Sequence, residues 1–215
     1  MNVLELSEQE IIRRNSLQEL RKMGIEPYPA AEYKINAYST DIKEEFKDDE
    51  EDKRQVTIAG RIMSRRIMGK ASFIELQDSK GRIQVYITRD DLCPDENKEL
   101  YNTVFKKLLD LGDYVGIEGY VFRTKMGEIS VHAQNLTILA KAIRPLPIVK
   151  YDKDGVAHDT FEDPELRYRR RYVDLTVNQE IRDIFIKRTK VYNSMREYFN
   201  AEGYLEVETP VLQSI

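Results

Sequence analysis

The strongest constraint on the fold is a series of five segments between residues 55 and 140 in which apolar and polar residues alternate. Alternation of period two, with many β-branched and aromatic residues, is typical of half-buried β-strands. Asp78 and Thr124 are each followed three residues later by a glycine, as expected for hairpin turns with a bulge. Leucine and valine at helical spacing predict a helix over Asp95–Leu111. The predicted strands are Val56–Met63, Ser72–Gln77, Arg82–Thr88, Tyr114–Phe122 and Ile129–Leu139.

Three strands, a helix and two more strands are the order of elements in the OB-fold, a Greek-key barrel that binds oligonucleotides or oligosaccharides across its second and third strands. We therefore predict a mainly β fold with flanking helices, in which a five-stranded OB-fold barrel follows an N-terminal helix. Ser7 and Glu10 form a capping box at the start of this helix, and Gly24 marks its end. Its buried stripe is expected to contain Ile11, Leu17, Leu20 and Met23, leaving Arg13, Arg14, Arg21 and Lys22 free for solvent or phosphate.

Composition narrows the possible functions. The chain has 215 residues and a net charge of −4, too little positive charge for indiscriminate binding to duplex nucleic acid. It has no apolar run of bilayer length, and its acidic N-terminus is unlike a secretory signal. We therefore expect a cytoplasmic protein that does not associate with a membrane. One cysteine and two histidines exclude an intramolecular disulfide and a standard zinc site. We find no catalytic constellation, glycine-rich phosphate loop or metal motif.

The alternation also predicts which side chains of the second and third strands face outward. If Ile74 and Leu76 point into the barrel, Phe73, Glu75 and Gln77 point away from it. On the third strand the outward set is Arg82, Gln84 and Tyr86. Aromatic rings, amides and carboxylates beside a basic segment are what a single-stranded base requires. That segment, Arg61–Lys70, has four bases and no acid. The alternative for the basic segment is that it is only a solvated hairpin loop. The alternative for Phe73 is that a loop or the N-terminal helix covers its ring, which would then belong to the core.

Changes in composition divide the chain into four parts. Residues 1–54 hold the N-terminal helix and an acidic loop with five consecutive acids at 48–52, and residues 55–142 hold the barrel. Residues 143–177 are predicted to be a linker, because prolines at 145 and 147 favour an extended chain. Residues 178–215 predict a helix from Asn178 to Glu202 and a strand from Tyr204 to Glu208, which we expect to be the truncated start of a second domain.

Several segments resemble the N-terminal part of bacterial class II lysyl-tRNA synthetases in order and spacing. Asparaginyl and aspartyl enzymes share the barrel, but the string Arg-Ile-Met-Gly-Lys-Ala-Ser-Phe at 66–73 is the lysyl form. The resemblance covers essentially the whole chain. It is carried by the N-terminal helix and by residues 65–73, 127–132, 144–147, 167–175 and 199–213.

The resemblance implies that the barrel binds the uridine-rich anticodon loop of tRNA(Lys). Phe73 would be the stacking platform, and Arg66, Gln84 and Glu128 would read uridine edges. Gly203 and Pro210 match motif 1, which builds the dimer interface and begins an α+β catalytic domain. Motifs 2 and 3 have no counterpart, so the chain alone is expected to be inactive and to bind no cofactor, whereas the full-length homodimer would use ATP and magnesium. The competing hypothesis is a stand-alone OB-fold module that binds a single-stranded nucleic acid or a protein.

Overall fold

The computed structural model describes residues 6–47, 53–147, 150–151, 157–158 and 161–211. The chain divides into two compact units, residues 1–146 and 147–215. The predicted acidic loop at 48–52 lies outside the described residues. Within the described ranges, none of the helices combines the length and the apolar character of a membrane span.

A closed five-stranded barrel forms the centre of the first unit, which confirms the predicted OB-fold. The strand order around it is β1-β2-β3-β5-β4. β3 and β5 are parallel, and the other neighbouring pairs are antiparallel. Since β1 pairs with both β2 and β4, the sheet closes and leaves no strand edge exposed. The strands are β1 (Gln55–Met68), β2 (Ala71–Gln77), β3 (Arg82–Thr88), β4 (Tyr114–Arg123) and β5 (Ile129–Ala140).

The barrel interior holds the apolar side chains that the alternation assigns to it. Ile74 and Leu76 on β2 and Ile83, Val85 and Ile87 on β3 are all at most 2% exposed. β4 and β5 approach each other so closely at position 119 of β4 that only glycine fits there. A Cβ at this position would lie 1.9 Å from the His132 carbonyl oxygen, at a register shift in the β4–β5 pair. The barrel therefore depends on glycine at this point as well as on the apolar pattern.

Two predictions about the barrel strands were wrong in detail. Gln77 lies in the outward-facing register but is buried, and its side-chain oxygen accepts a hydrogen bond of 2.9 Å from Arg82 Nε. The basic segment Arg61–Lys70 is not a loop, because β1 continues to Met68 and pairs with β2 as far as Ala71. Its basic side chains are consequently held on a sheet.

The helix between the third and fourth strands also differs from the prediction. A short helix, α3 (Arg89–Leu92), comes first, and a π-helix then occupies Leu100–Leu108. Residues 95–98 are not helical. Asn97 accepts a hydrogen bond of 2.8 Å from the Glu99 amide, and such local side-chain bonds compete with helix formation. The π-helix buries Tyr101 and Phe105, whose stacked rings lie 5.5 Å apart.

The N-terminal helix, α1 (Glu8–Lys22), begins with the predicted capping box, and Gly24 has a positive φ of 76° just after its end. Its buried face is more polar than predicted. Leu20 is buried as expected, but Ile11 is 38% exposed, and Arg13 is only 5% exposed. Arg13 is not free, because its guanidinium donates a hydrogen bond of 3.0 Å to the Ala142 carbonyl beyond the end of β5.

A second N-terminal helix, α2 (Ser39–Glu45), is fastened to the turn between β2 and β3 by one carboxylate. Asp78 accepts hydrogen bonds from the Ser39 amide at 2.6 Å and from the Ser39 hydroxyl at 2.8 Å. It also accepts the amides of Lys80 and Gly81 at 2.8 and 2.7 Å. Asp78 thus shapes the hairpin turn and fixes the start of α2 on the barrel.

The second unit contains a two-stranded sheet, two short helices and a long one. The sheet pairs β6 (Lys150–Tyr151) with β7 (Ala157–His158). The short helices, α4 (Pro164–Arg169) and α5 (Arg171–Val177), lie in the range predicted to be a linker, and α6 (Gln179–Ala201) is the predicted long helix. Asn178 stands at the N-cap position, but its side chain donates to Asp174 and does not cap α6.

The predicted strand at Tyr204–Glu208 was wrong. Residues 204–210 have no strand pairing, because no described strand lies beside them to complete a ladder. They return along α6 instead, where Arg196 Nε donates to both oxygens of Glu206 at 3.0 and 3.1 Å. The rings of Phe199 and Tyr204 lie 5.6 Å apart in the same contact.

We predict that Asp78→Ala will lower the free energy of unfolding by about 2–4 kcal/mol, because it removes an ionised acceptor with four donors. Urea unfolding followed by circular dichroism measures this difference. Asp95→Ala, at an exposed carboxylate in the loop before the π-helix, is the matched control and should change stability by less than about 0.5 kcal/mol. Equal stabilities of the two variants would contradict the role given to Asp78.

Candidate nucleic-acid interface

A row of side chains crosses the outer surface of the barrel from strand to strand. Arg66 on β1 pairs in register with Phe73 on β2, and Phe73 pairs with Tyr86 on β3. Tyr86 pairs with His132 on β5, which in turn pairs with Tyr120 on β4. Residues directly opposite one another on neighbouring strands have adjacent side chains. Strand pairing therefore builds a continuous aromatic row that begins at an arginine.

The rings of this row contact one another in sequence. The centroid distances are 4.9 Å for Phe73–Tyr86, 5.1 Å for Tyr86–His132 and 4.8 Å for His132–Tyr120. The Arg66 guanidinium lies 5.3 Å from the Phe73 centroid, within cation–π range. Phe73 is half-buried on the outer face and lines a groove there. Its ring is therefore not fully covered by a loop or by the N-terminal helix, which was the alternative to an outward-facing Phe73.

A groove of about 570 Å³ lies at the arginine end of the row. Arg66, Phe73, Gln84 and Glu128 all line it, so the structure brings together the four positions that the resemblance selects. Three of them come from neighbouring strands, and Glu128 comes from the hairpin between β4 and β5. The remaining lining residues are Lys43, Ser64, Ile74, Glu75, Arg82, Ile83 and Met126.

Hydrogen bonds orient the polar groups of the groove. Ser130 Oγ donates to the Gln84 side-chain oxygen at 2.9 Å, which leaves the Gln84 amide nitrogen available as a donor. Glu75 forms an ion pair of 3.1 Å with Arg82. The groove therefore offers donors from Gln84 and Arg66, an acceptor from Glu128 and an aromatic ring from Phe73.

The basic residues of β1 have different roles. The Arg61 guanidinium donates to the Gly112 carbonyl at 3.0 Å and lies over the Tyr114 ring at 4.3 Å. Arg65 donates to the carbonyls of Phe105 and Leu109, which end the π-helix. Arg66 is exposed and faces the groove. Counting charges in the sequence could not separate these roles, because the hydrogen-bond acceptors of Arg61 and Arg65 lie far along the chain, within residues 105–114.

A polar chain supports the far end of the aromatic row. The Asp91 carboxylate lies 2.8 Å from His132 Nε2, and His132 Nδ1 lies 2.7 Å from the Tyr120 hydroxyl. The hydrogen bond from the Thr88 hydroxyl lowers the pKa of Asp91 below its ordinary value, and the contact with His132 lowers it further, by a smaller amount. Burial raises the pKa of Tyr120 above its ordinary value. These contacts hold the His132 and Tyr120 rings in the row.

Sequence reasoning missed Tyr120, His132, Ser130 and Lys43. For Tyr120 and His132 a signal existed, since both occupy outward positions of alternating strands and the same parity argument that selected Phe73 applies to them. Ser130 and Lys43 reach the site through the parallel β3–β5 pairing and the docking of α2. No local pattern in the sequence encodes either contact.

The two positions that the resemblance assigns to motif 1 lie in the second unit. Gly203 follows α6 with a φ of 85°, and Pro210 is exposed in the segment that returns along the helix. In the same unit, Arg167 and Arg171 bind the buried carboxylate of Asp174. Among the residues that the structure describes, no group of three or more histidine, cysteine, aspartate or glutamate side chains is placed to hold a metal ion.

Comparison with known proteins gives a family match for each part of the chain. Residues 56–139 match the OB-fold nucleic acid binding domain, and residues 163–215 match the class II tRNA synthetases of the D, K and N group. These matches confirm the predicted OB-fold domain and the resemblance to class II tRNA synthetases.

Curated relatives named lysine–tRNA ligase match over nearly the whole chain. The protein of Porphyromonas gingivalis is 69% identical over 100% of this chain and 37% of its own length. That of Azobacteroides pseudotrichonymphae is 63% identical over 98% of the chain and 42% of its own length. That of Christiangramia forsetii is 57% identical over 98% and 36%. The chain thus spans about two fifths of these relatives.

The lowered pKa of Asp91 predicts how acid affects the barrel. A carboxyl whose pKa is lower in the folded state stabilises the fold above its ordinary pKa of 3.8, and this contribution is lost as the pH falls through the folded value. Asp91→Asn removes the titration. Its free energy of unfolding should therefore decrease less between about pH 5 and pH 3 than that of the unmodified chain. Urea unfolding at several pH values measures this, and parallel pH profiles would contradict it.

Proposed function

We propose, from its matches to the OB-fold nucleic acid binding domain and to the class II tRNA synthetases, that this chain is the anticodon-binding part of a lysine–tRNA ligase. Its OB-fold would bind the anticodon loop of tRNA(Lys) in the groove beside Phe73. The observation that supports this proposal most directly is the convergence of Arg66, Phe73, Gln84 and Glu128 on one groove. These positions lie on separate strands and a hairpin, so their convergence is a property of the fold rather than of one motif.

The chemistry of the groove suits a uridine. The uracil edge carries two carbonyl acceptors and one N–H donor. Arg66 and the Gln84 amide can donate to the carbonyls, and the Glu128 carboxylate can accept the N3 proton. Cytosine has an acceptor at N3 instead, so it would place a lone pair against Glu128. Stacking on Phe73 would supply affinity without choosing between the bases.

For the whole protein we propose the activity that its relatives' names state. It would activate lysine with ATP and magnesium and transfer it to tRNA(Lys), in the cytoplasm. Residues 163–215 match the class II tRNA synthetases, and the whole chain spans only 37% of the Porphyromonas gingivalis relative. We therefore expect this chain to bind RNA without aminoacylating it.

We also propose that α6 and the segment after it contribute to a homodimer interface. One side of α6 exposes large apolar side chains: Ile184 is 58% exposed, Val191 60% and Tyr198 62%. Leu205 and Val207 in the returning segment are 88% and 73% exposed. Apolar surface of this extent in one place is typical of a protein–protein interface.

The dimer proposal predicts the mass of the particle in solution. Val191→Glu places a charge in the exposed apolar surface, so the whole protein with this substitution should shift from dimer toward monomer. Sedimentation at several protein concentrations measures the shift. Asn193→Glu, which introduces the same charge at an exposed position on the opposite side of α6, is the matched control. Equal sedimentation of both variants as dimers would contradict this interface.

The first functional test measures binding of the chain to a tRNA(Lys) anticodon stem-loop and to the same stem-loop with its loop uridines replaced by cytidines. Both titrations use one fixed salt concentration, because phosphate contacts make all RNA affinities salt-dependent. The proposal predicts clear preference for the uridine loop. Equal affinity for both loops would contradict it and would favour the stand-alone OB-fold module that binds single strands generally.

Phe73→Ala should weaken binding to the uridine loop by about 1–3 kcal/mol, because it removes the stacking platform. Phe73→Leu is the matched control, since it keeps an apolar side chain of similar size but has no ring. If stacking is the role of Phe73, both variants should weaken binding. If only the alanine variant does, Phe73 acts by packing and the stacking assignment is wrong. Urea unfolding of both variants checks that the barrel is intact.

A further inference from the structure

Helix α2 brings a side chain into the groove from outside the barrel. Lys43 lines the groove, although it precedes β1 and lies outside the range that matches the OB-fold family. Its Nζ is 3.5 Å from Glu128 Oε1. The two residues come from parts of the chain 85 positions apart, and their side chains meet at the rim of the groove.

The backbone that carries Lys43 is held firmly. Its neighbour Ile42 is 1% exposed and packs into the hydrophobic core. The Lys80 ammonium bonds both oxygens of Asp41 at 2.8 Å, and Ser39 is bound by Asp78. These contacts fix the part of α2 that directly precedes Lys43, so its position over the groove is determined by the fold.

Glu128 has a fixed backbone and a less constrained carboxylate. Its amide donates to Thr124 Oγ1 at 3.1 Å, and its carbonyl accepts from the Thr124 amide at 2.9 Å. Within the described part of the chain, Lys43 is the cation found at ion-pair distance from its carboxylate. The side chains are 41% and 51% exposed, so the pair orients the carboxylate and contributes little to stability.

We propose that Lys43 is a positioning residue for base recognition: it holds the Glu128 carboxylate where it accepts the N3 proton of a uridine in the groove. The inference rests on the proposed anticodon-binding function and assigns part of its specificity to the N-terminal segment. Lys43 acts through Glu128, so it discriminates against cytidine, which has no N3 proton to donate. A lysine that only contacted phosphate would improve binding to both loops equally.

The test compares Lys43→Met with the unmodified chain on the uridine and cytidine stem-loops, at one salt concentration. Methionine keeps much of the side-chain volume and removes the charge. We expect affinity for the uridine loop to fall about two- to fivefold, as for loss of an exposed ion pair, and affinity for the cytidine loop to stay unchanged. Lys47→Met, at an exposed lysine that is not among the residues lining the groove, is the matched control and should leave both affinities unchanged.

A second comparison introduces Lys43→Met into Glu128→Gln. If Lys43 acts through the carboxylate, the lysine substitution has no further effect on uridine affinity in this background. An equal loss on both loops that persists in Glu128→Gln would show a phosphate contact and overturn the inference, as would no loss on either loop. If the unmodified chain itself shows no uridine preference, the proposed function fails with it. A uridine preference that Lys43→Met does not reduce overturns this inference alone.

Discussion

Closure of the barrel is the constraint on which the rest of the first unit depends. β1 is long enough to pair with β4 through residues 55–61 and with β2 through residues 61–68. This double pairing commits one face of every strand to the core and the other face to the surface. Because the register is fixed all round the barrel, residues far apart in sequence become neighbours in a row. The groove and the aromatic row follow from that register.

Two segments at the edge of the barrel, α2 and the β4–β5 hairpin, add charged side chains to a groove whose other walls are strands. The Asp78 carboxylate turns the β2–β3 hairpin and holds α2, and α2 then carries Lys43 to the groove rim. The β4–β5 hairpin brings Glu128 to the same rim. A stacking surface on the barrel is thus combined with charged groups supplied by two peripheral segments.

The sequence predicts the strands and their inward faces well, because a half-buried strand imposes a period of two on its residues. It predicts the outward Phe73 and Gln84 for the same reason. It fails where a side chain finds a partner distant in sequence: Arg13 is buried at the end of β5, Arg65 binds the carbonyls that end the π-helix, and Gln77 is covered and bonded to Arg82. It also fails at Tyr204–Glu208, since a strand needs a neighbour as well as a propensity. Glu128 came only from the resemblance, since no periodic pattern reports the tip of a hairpin.

The central claim is that a uridine base lies on Phe73 with its edge toward Gln84 and Glu128. Photo-crosslinking tests it most directly: 4-thiouridine is placed in the loop of the tRNA(Lys) anticodon stem-loop, and the attached peptides are identified by mass spectrometry. The account predicts crosslinks at the groove lining, which lies at residue 43 and within residues 64–66, 73–75, 82–84 and 126–128. Crosslinks confined to other parts of the chain would contradict it.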